Sequence, residues 1–363
     1  MRLASRCVEH REFLRISRHE QHAQLRPLGD EALRERIRLG PPGVDVARFA
    51  PKPPGAARAG LGALAARLER EAAARPDADD EERPRSAFAR DPRAAASALA
   101  DVAAGADDRL VAFVGKLIVS KGVDLLAAAW PLVLQREPRA RLVVVGFGAY
   151  RAALERLIDA LARGDLAAVR ALAESGRAEE GGPAAPLSLL RAFLDGLDAD
   201  PDARERYLAA AATLRERIVL TGRLDHDELA DLLPACEALV VPSTFPEAFG
   251  MVAAEGAACG ALPVCAEHSG LAEVAGALAQ AVPAPARPWL AFPTAAGSDP
   301  VRALAERVTA WLEAPAEVRE DTRAALVATV RERWSWEGVA RGVIAAAQAP
   351  VDAPERLADD VSR

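Results

Sequence analysis

From Leu110 onward the chain alternates short apolar runs with longer amphipathic ones. LVAFVG (110–115), RLVVVGF (141–147), RIVLTG (217–222), ALVVPS (238–243) and ALPVCA (261–266) are valine-rich, and each closes on glycine or another small residue at or near its end. Uninterrupted apolar runs of this length are typical of strands buried on both faces. Between them, Val123–Arg136, Arg151–Leu161, Asp227–Cys236 and Phe249–Cys259 carry apolar residues at helical spacing. Strand and helix alternate, which predicts an α/β fold built on a doubly wound parallel sheet. The rhythm breaks at 159–215, where LLRAFLDGL and ERYLAAAATL predict a helical excursion on one face. After the fifth run, WLAFPTAAGSDPVRALAERVTAWLE predicts a strand, a loop and an Asp-capped helix, and ERWSWEGVARGVIAAAQ a closing helix.

The front of the chain reads differently. Residues 1–40 are polar and helix-prone apart from Phe13 to Ile16, and GPPGVDVARFAP (40–51) is a turn-rich stretch with two apolar anchors, Val44 and Phe49. Residues 52–108 are rich in Ala, Arg, Asp and Pro, carry the acidic run DADDEER and contain no strand-like segment. That composition predicts a poorly ordered insertion with loose helix, and fast hydrogen exchange across most of 60–95. The expected division is therefore 1–40, 41–108, a sheet domain at 109–335 containing the 159–215 insertion, and a terminal helix and tail at 336–363.

Composition narrows the function classes. Half of the 363 residues (51%) are hydrophobic, enough for a large core, and the net charge of −7 argues against broad nucleic-acid binding. No apolar run approaches the ~18 residues of a membrane span, and the charged N-terminus has no signal-peptide core. Cys7, Cys236, Cys259 and Cys265 form no CxxC pair and no metal spacing with the five histidines, so buried thiols in a cytoplasmic protein are expected. Of 46 basic residues only Lys52, Lys116 and Lys121 are lysine, and two of the three fall within FVGKLIVSKGVD.

In an open parallel sheet, ligands bind beyond the carboxyl ends of the strands. The unusual residues of this chain collect there: Gly115-Lys116, Lys121-Gly122, Gly146-Phe147-Gly148, Thr221-Gly222-Arg223, the loop Pro242 to Met251, and His268-Ser269-Gly270. Glycines let backbone approach a ligand, and lysines supply charge for a diphosphate. A cation at a helix start is unfavourable without an anion nearby, which favours an anion site over a merely solvated lysine pair. Glu247 and Glu255 are eight residues apart, roughly 12 Å at a helical rise of about 1.5 Å, too far for the ~5–10 Å of a glycosidase pair. They could instead grip hydroxyls at opposite ends of an elongated ligand. Glu255 lies in the otherwise small and apolar MVAAEGAACGALPV, where a buried acid needs a partner. The Gly146-x-Gly148 pair lacks the third glycine of a dinucleotide fingerprint, since Arg151 stands in its place.

Taken together, GPPGVDVARFAP, FVGKLIVSKGVDLL, ARLVVVGFG, RIVLTGRLDHDELADLL, VPSTFPEAFGMVAAEGAACGALPV and HSGLAEV resemble the C-terminal, donor-binding half of family 4 retaining glycosyltransferases of the GT-B fold. The resemblance covers roughly 110–345 and the linker at 40–51. It implies a Rossmann-like donor domain and transfer of a sugar, as a hexosyltransferase, from a nucleotide-diphosphate sugar co-substrate, with retention and without a bound metal. Lys116 and Lys121 would hold the diphosphate, Lys116 in place of the commoner arginine. Glu247 would face the transferred sugar, and the amides of Phe249, Gly250 and Met251 would bind sugar and phosphate. Glu255 would bond the ribose hydroxyls and Thr221, Gly222, Arg223 and Leu224 would border the base. The glycines at 115, 146 and 148 would line the same cleft. Ser269 stands where the family often has the first glycine of a pair. His226 is expected at a helix start, and His268 at the border of the cleft without a defined role.

The family's chains open with an acceptor domain of order 150 residues. Here about forty precede GPPGVD, with FLRISRHEQHAQL resembling that domain's last strand and helix, including Ser17 and His19. The implication is a truncated acceptor side, weak binding of nucleotide sugar with negligible transfer by this chain alone, and self-association through an exposed face that Phe13–Leu25 and Trp336–Gln348 would normally cover, with Trp334, Trp336 and Val343 as its apolar contributors. His10, His19 and His22 acquire no catalytic role from the resemblance. A non-catalytic nucleotide-sugar-binding fragment and a GT-B-fold sugar-nucleotide epimerase remain as alternative readings.

Overall fold

The apolar runs become strands because both of their faces are covered. A computed structural model describes residues 13–14, 38–74, 89–295 and 297–348. Phe13–Leu14 (β1) and Arg38–Leu39 (β2) pair in parallel, apart from the main sheet. The main sheet contains β3 (Arg109–Lys116), β4 (Ala140–Phe147), β5 (Ile218–Gly222), β6 (Ala238–Val241), β7 (Leu262–Ala266) and the short β8 (Ala291–Phe292), in the order β5-β4-β3-β6-β7-β8 with every pairing parallel. All residues of β6 and β7 are buried, as fully covered strands require. The chain leaves β3 toward β4 and β5, then returns to β6 on the other side of β3. Strand order therefore reverses between β3 and β6, the position at which open α/β sheets leave a crevice.

Residues 52–74 and 89–108 are better ordered than their composition predicts. Pro54–Ala74 (α1) and Pro92–Ala104 (α2) are helices packed on one another, α1 against the helix after β5 and α2 along β5. The reason lies in spacing that composition hides. Leu61, Leu64, Ala65, Leu68 and Ala72 repeat on one helical face and are all buried, as are Leu99 and Val102 on α2. The charged residues pair rather than repel. Arg141 of β4 bonds Asp101 of α2 and, at 3.1 Å, Asp108, which also takes Arg217 at 2.9 Å. Asp91 caps α2, accepting from the Ala94 amide at 3.0 Å. The acidic run at 77–83 lies outside the described residues.

The remaining helices surround the sheet: α3 (Val123–Arg136), α4 (Arg151–Ala162), α5 (Leu166–Ser175), α6 (Ser188–Asp198), α7 (Pro201–Ala211), the one-turn α8 (Leu214–Arg217), α9 (His226–Leu232), α10 (Met251–Ala258), α11 (Ser269–Ala279), α12 (Pro300–Glu313), α13 (Ala316–Arg333) and α14 (Trp336–Gln348). Asp165, Asp200 and Asp299 cap α5, α7 and α12. The long excursion is helical, as its amphipathic runs predict, and α7 docks through Tyr207, whose hydroxyl donates to the Ala128 carbonyl at 2.8 Å. Val44 and Phe49 are buried anchors, and the Val44 amide donates to the Trp334 carbonyl at 2.6 Å. Trp334, expected on an exposed face, is instead buried edge-on against Phe249, with ring centroids 5.5 Å apart. Trp336 and Ile344 of α14 are exposed. Most of the 1–40 segment, with His10, His19 and His22, lies outside the described residues, as does Cys7. The other three cysteines are buried and free, and burial pushes the Cys236 and Cys265 thiols up to about 12. Among the described residues no helix is long and apolar enough to cross a membrane.

Asp124, in the first turn of α3, is buried, and its Oδ1 has no hydrogen-bond partner. Burial raises its pKa from 3.8 to about 7, opposed only in part by the amides of Asp124 and Leu125. Between those two values the folded chain keeps a proton that the unfolded chain releases. The contribution of Asp124 to stability is therefore full at low pH, declines between 3.8 and about 7 with a limiting slope of about 1.4 kcal/mol per pH unit, and is gone above that range.

Two outcomes follow for unfolding experiments. Leu64→Ala should lower stability by about 2–5 kcal/mol in urea titrations, with slow amide exchange through 60–74 in the wild type; an unchanged midpoint would mean that α1 is loose. Asp124→Asn should gain stability relative to wild type as pH rises from about 4 to about 7 and then hold that gain, and a pH-independent difference would contradict the buried acid.

Candidate functional site

Two loops face each other where strand order reverses. After β3 the chain turns through Val119–Lys121 into Gly122, which is left-handed (φ 67°) and opens α3. A Cβ at Gly122 would lie 2.0 Å from the Pro242 carbonyl oxygen, so only glycine lets this turn press on the base of the β6–α10 loop. The Thr244 amide donates to the Ser120 carbonyl at 2.9 Å, and Lys121 Nζ forms an ion pair with Glu247 Oε1. Lys116, Lys121 and Glu247 thus lie at the carboxyl edge of the sheet, with Lys121 and Glu247 in direct contact. Lys116 is exposed at the end of β3, beside the half-buried Gly115, and makes no ion pair among the described residues. The loop after β3 is also held from the helical excursion: Glu180 Oε2 accepts from the Val119 amide at 2.8 Å. No sequence pattern foreshadows that contact, because the two residues are 61 positions apart.

Glu255 is buried on α10, and the partner that a buried acid needs is His226, the first residue of α9, whose Nε2 lies 3.1 Å from Oε1. Burial raises the Glu255 pKa and His226 pulls it back. His226 is placed by the linker. The Phe49 ring meets it edge-on at 5.5 Å, Arg48 pairs with Asp227 at 3.1 Å, and Lys52 pairs with Asp231 at 2.9 Å. A capping box between Asp225 and Glu228 fixes the start of α9.

Several of the other expected contact residues also have packing roles. Gly146 and Gly148 are buried, and a Cβ on either would meet backbone, the Gly115 carbonyl oxygen at 2.2 Å and the Leu117 carbonyl oxygen at 2.3 Å. What approaches these glycines is the chain's own backbone. Thr221, Gly222 and Leu224 are buried, with the Thr221 hydroxyl donating to the Gly222 carbonyl at 3.1 Å. That loop exposes Arg223 alone, whose guanidinium lies over the Phe147 ring at 5.5 Å. Phe249, Gly250 and Met251 are half-buried at the open end of α10, where amide groups lack helical partners.

Sequence reading singled out Glu247 but not what surrounds it. Ser243 Oγ donates to Glu247 Oε1, the Ser269 hydroxyl accepts from the Glu247 amide at 2.9 Å, and His268 touches both Ser269 and Ser243. Their position directly after β6 and β7 was the available signal. Among the described residues no group of three or more His, Cys, Asp or Glu side chains is placed to hold a metal ion.

Two sequence profiles, both described as Glycosyl transferases group 1, match the chain over residues 196–326 and 108–174. The uncharacterized glycosyltransferase MJ1607 of Methanocaldococcus jannaschii is 26% identical over 168 residues, 46% of this chain and 30% of its own length. The gpi3 subunit of Schizosaccharomyces pombe phosphatidylinositol N-acetylglucosaminyltransferase is 23% identical over 171 residues, 47% of this chain and 26% of its own length. The fold is similar to that of Anabaena HepE in complex with UDP (TM-score 0.53, 15% identity, 92% of this chain and 62% of that one). It is also similar to a glycosyltransferase from Rickettsia africae (TM-score 0.50, 14% identity, 91% and 61%). The chain spans less than two thirds of the length of each of these proteins. Both profile matches fall on the parallel sheet and its helices, and the fold of this part of the chain is similar to that of GT-B glycosyltransferases.

Proposed function

We propose that the domain at 109–335 binds a nucleotide-diphosphate sugar and transfers the sugar, a hexose, to an acceptor with retention at the anomeric carbon, as family 4 glycosyltransferases do. The observation that carries this reading is the Lys121–Glu247 ion pair across the point of strand reversal. A diphosphate entering there competes with the carboxylate for Lys121, gains Lys116 as a second cation, and frees Glu247 to accept hydroxyl protons from the sugar. The two ammonium groups then stabilise negative charge on the departing diphosphate, the main electrostatic work of such a step. Amides at Phe249, Gly250 and Met251 add donors aimed at sugar and phosphate. Glu255, further along on α10, is placed to take the ribose hydroxyls while Arg223 borders the base. The HepE structures are described as complexes with UDP and with UDP-glucose, which supports uridine diphosphate sugars as the first donors to try.

The test is a binding panel of UMP, UDP, UDP-glucose, ADP-glucose and GDP-mannose, run by thermal shift and calorimetry on wild type and Lys121→Ala. A diphosphate should bind at least about tenfold more tightly than its monophosphate, a difference of about 1.4 kcal/mol, and Lys121→Ala should abolish that preference. Equal affinity for UMP and UDP would remove the lysines from the site.

A further inference from the structure

We propose that His268 and Ser269 are positioning residues for Glu247, closing a hydrogen-bonded clip around the β6–α10 loop so that its carboxylate meets the sugar of the donor. The proposal rests on the donor-binding reading above.

The loop needs such a device. Between β6 and α10 it has no regular structure, and Thr244, Phe245 and Pro246 at its tip are exposed. Its ends are gripped by consecutive residues at the start of α11. The Glu247 amide donates to Ser269 Oγ at 2.9 Å, and the Gly270 amide donates to the Glu247 carbonyl at 2.9 Å. His268 Nε2 lies 2.7 Å from the Ser243 carbonyl oxygen, and Nδ1 lies 3.0 Å from Ser269 Oγ. A carbonyl only accepts, so Nε2 carries the proton. In the neutral ring Nδ1 then accepts from the Ser269 hydroxyl, whose oxygen remains free to take the Glu247 amide proton. Each bond fixes the direction of the next, and the clip joins both ends of the loop.

The backbone shows the same commitment. Ser269, at φ 51°, is the one left-handed residue other than glycine among the described residues. Such a conformation is costly for an L-residue and persists only where its surroundings hold it. A glycine would adopt it freely but would bring no hydroxyl. At Gly270 a Cβ would meet the Ala248 carbonyl carbon at 2.6 Å, so the loop lies directly on the clip. The Glu247 side chain is aimed as a consequence. Lys121 and Ser243 both donate to Oε1, and Oε2 has no protein donor among the described residues.

The experiment uses the full chain with Ser269→Gly, which keeps the left-handed turn and deletes the hydroxyl, and His268→Phe, which keeps a ring and deletes both bonds. One readout is amide exchange at Glu247. The other is the affinity for UDP-glucose, ADP-glucose and GDP-mannose, each against its matching diphosphate. Both variants should speed exchange at Glu247 at least tenfold and weaken the sugar-bearing ligand at least tenfold, while the matching diphosphate changes less than twofold. A merely structural role would weaken both ligands alike. Ser269→Gly with wild-type exchange, or with the wild-type preference for the sugar, overturns the proposal, and this variant remains informative should His268→Phe fail to fold. Binding of none of the ligands by wild type, with exchange accelerated as stated, would remove the donor reading and leave the clip standing.

Discussion

Where strand order reverses between β3 and β6, the two connections leave the sheet toward opposite sides, and neither crossover helix can fill the gap between them. The site depends on that constraint. The β3 connection brings two lysines to the gap, and the β6 connection brings Glu247. Gly122 is what lets the two meet, because any side chain there would collide with the Pro242 carbonyl. The geometry is thus set by sheet topology and one unhindered turn before any polar contact is made.

Electrostatics decides what the gap can hold. The Lys121 and Glu247 side chains are 30% and 21% exposed, partly withdrawn from water, and each compensates the other in the absence of an anion. In the function proposed above, a polyanion offers Lys121 a stronger partner and releases the carboxylate. At the far end, Glu255 is buried more deeply and is held by His226, which the linker residue Phe49 braces. Linker and candidate site are therefore one mechanical unit, connected through the start of α9.

The regular part of this structure was legible along the chain. Runs such as RLVVVGF and LVAFVG became neighbouring strands, and Val123–Arg136 became a helix with those bounds, because burial on one or two faces leaves its period in the sequence. Residues 52–108 misled for a physical reason: abundant Ala, Arg and Asp masked the leucine stripe of α1, and pairs such as Arg141–Asp101 cannot be seen without the fold. Gly146 and Gly148 resembled ligand-approach glycines, yet identical residues serve where strand backbones crowd one another. Lys121, the ion-pair partner of Glu247, and His226, the partner of Glu255, lie 126 and 29 positions away, distances at which no local pattern pairs side chains. Candidate acids could be singled out by type and place, but what holds them could not.

The most direct test of the account is a crystal structure of the full chain with UDP-glucose or, failing occupancy, the diphosphate sugar that binds most tightly. The account predicts diphosphate oxygens within hydrogen-bond reach of Lys116 and Lys121 Nζ, the Lys121–Glu247 pair broken, and the Glu247 carboxylate on a sugar hydroxyl. A nucleotide seated elsewhere, or one bound with the Lys121–Glu247 pair intact, would contradict it.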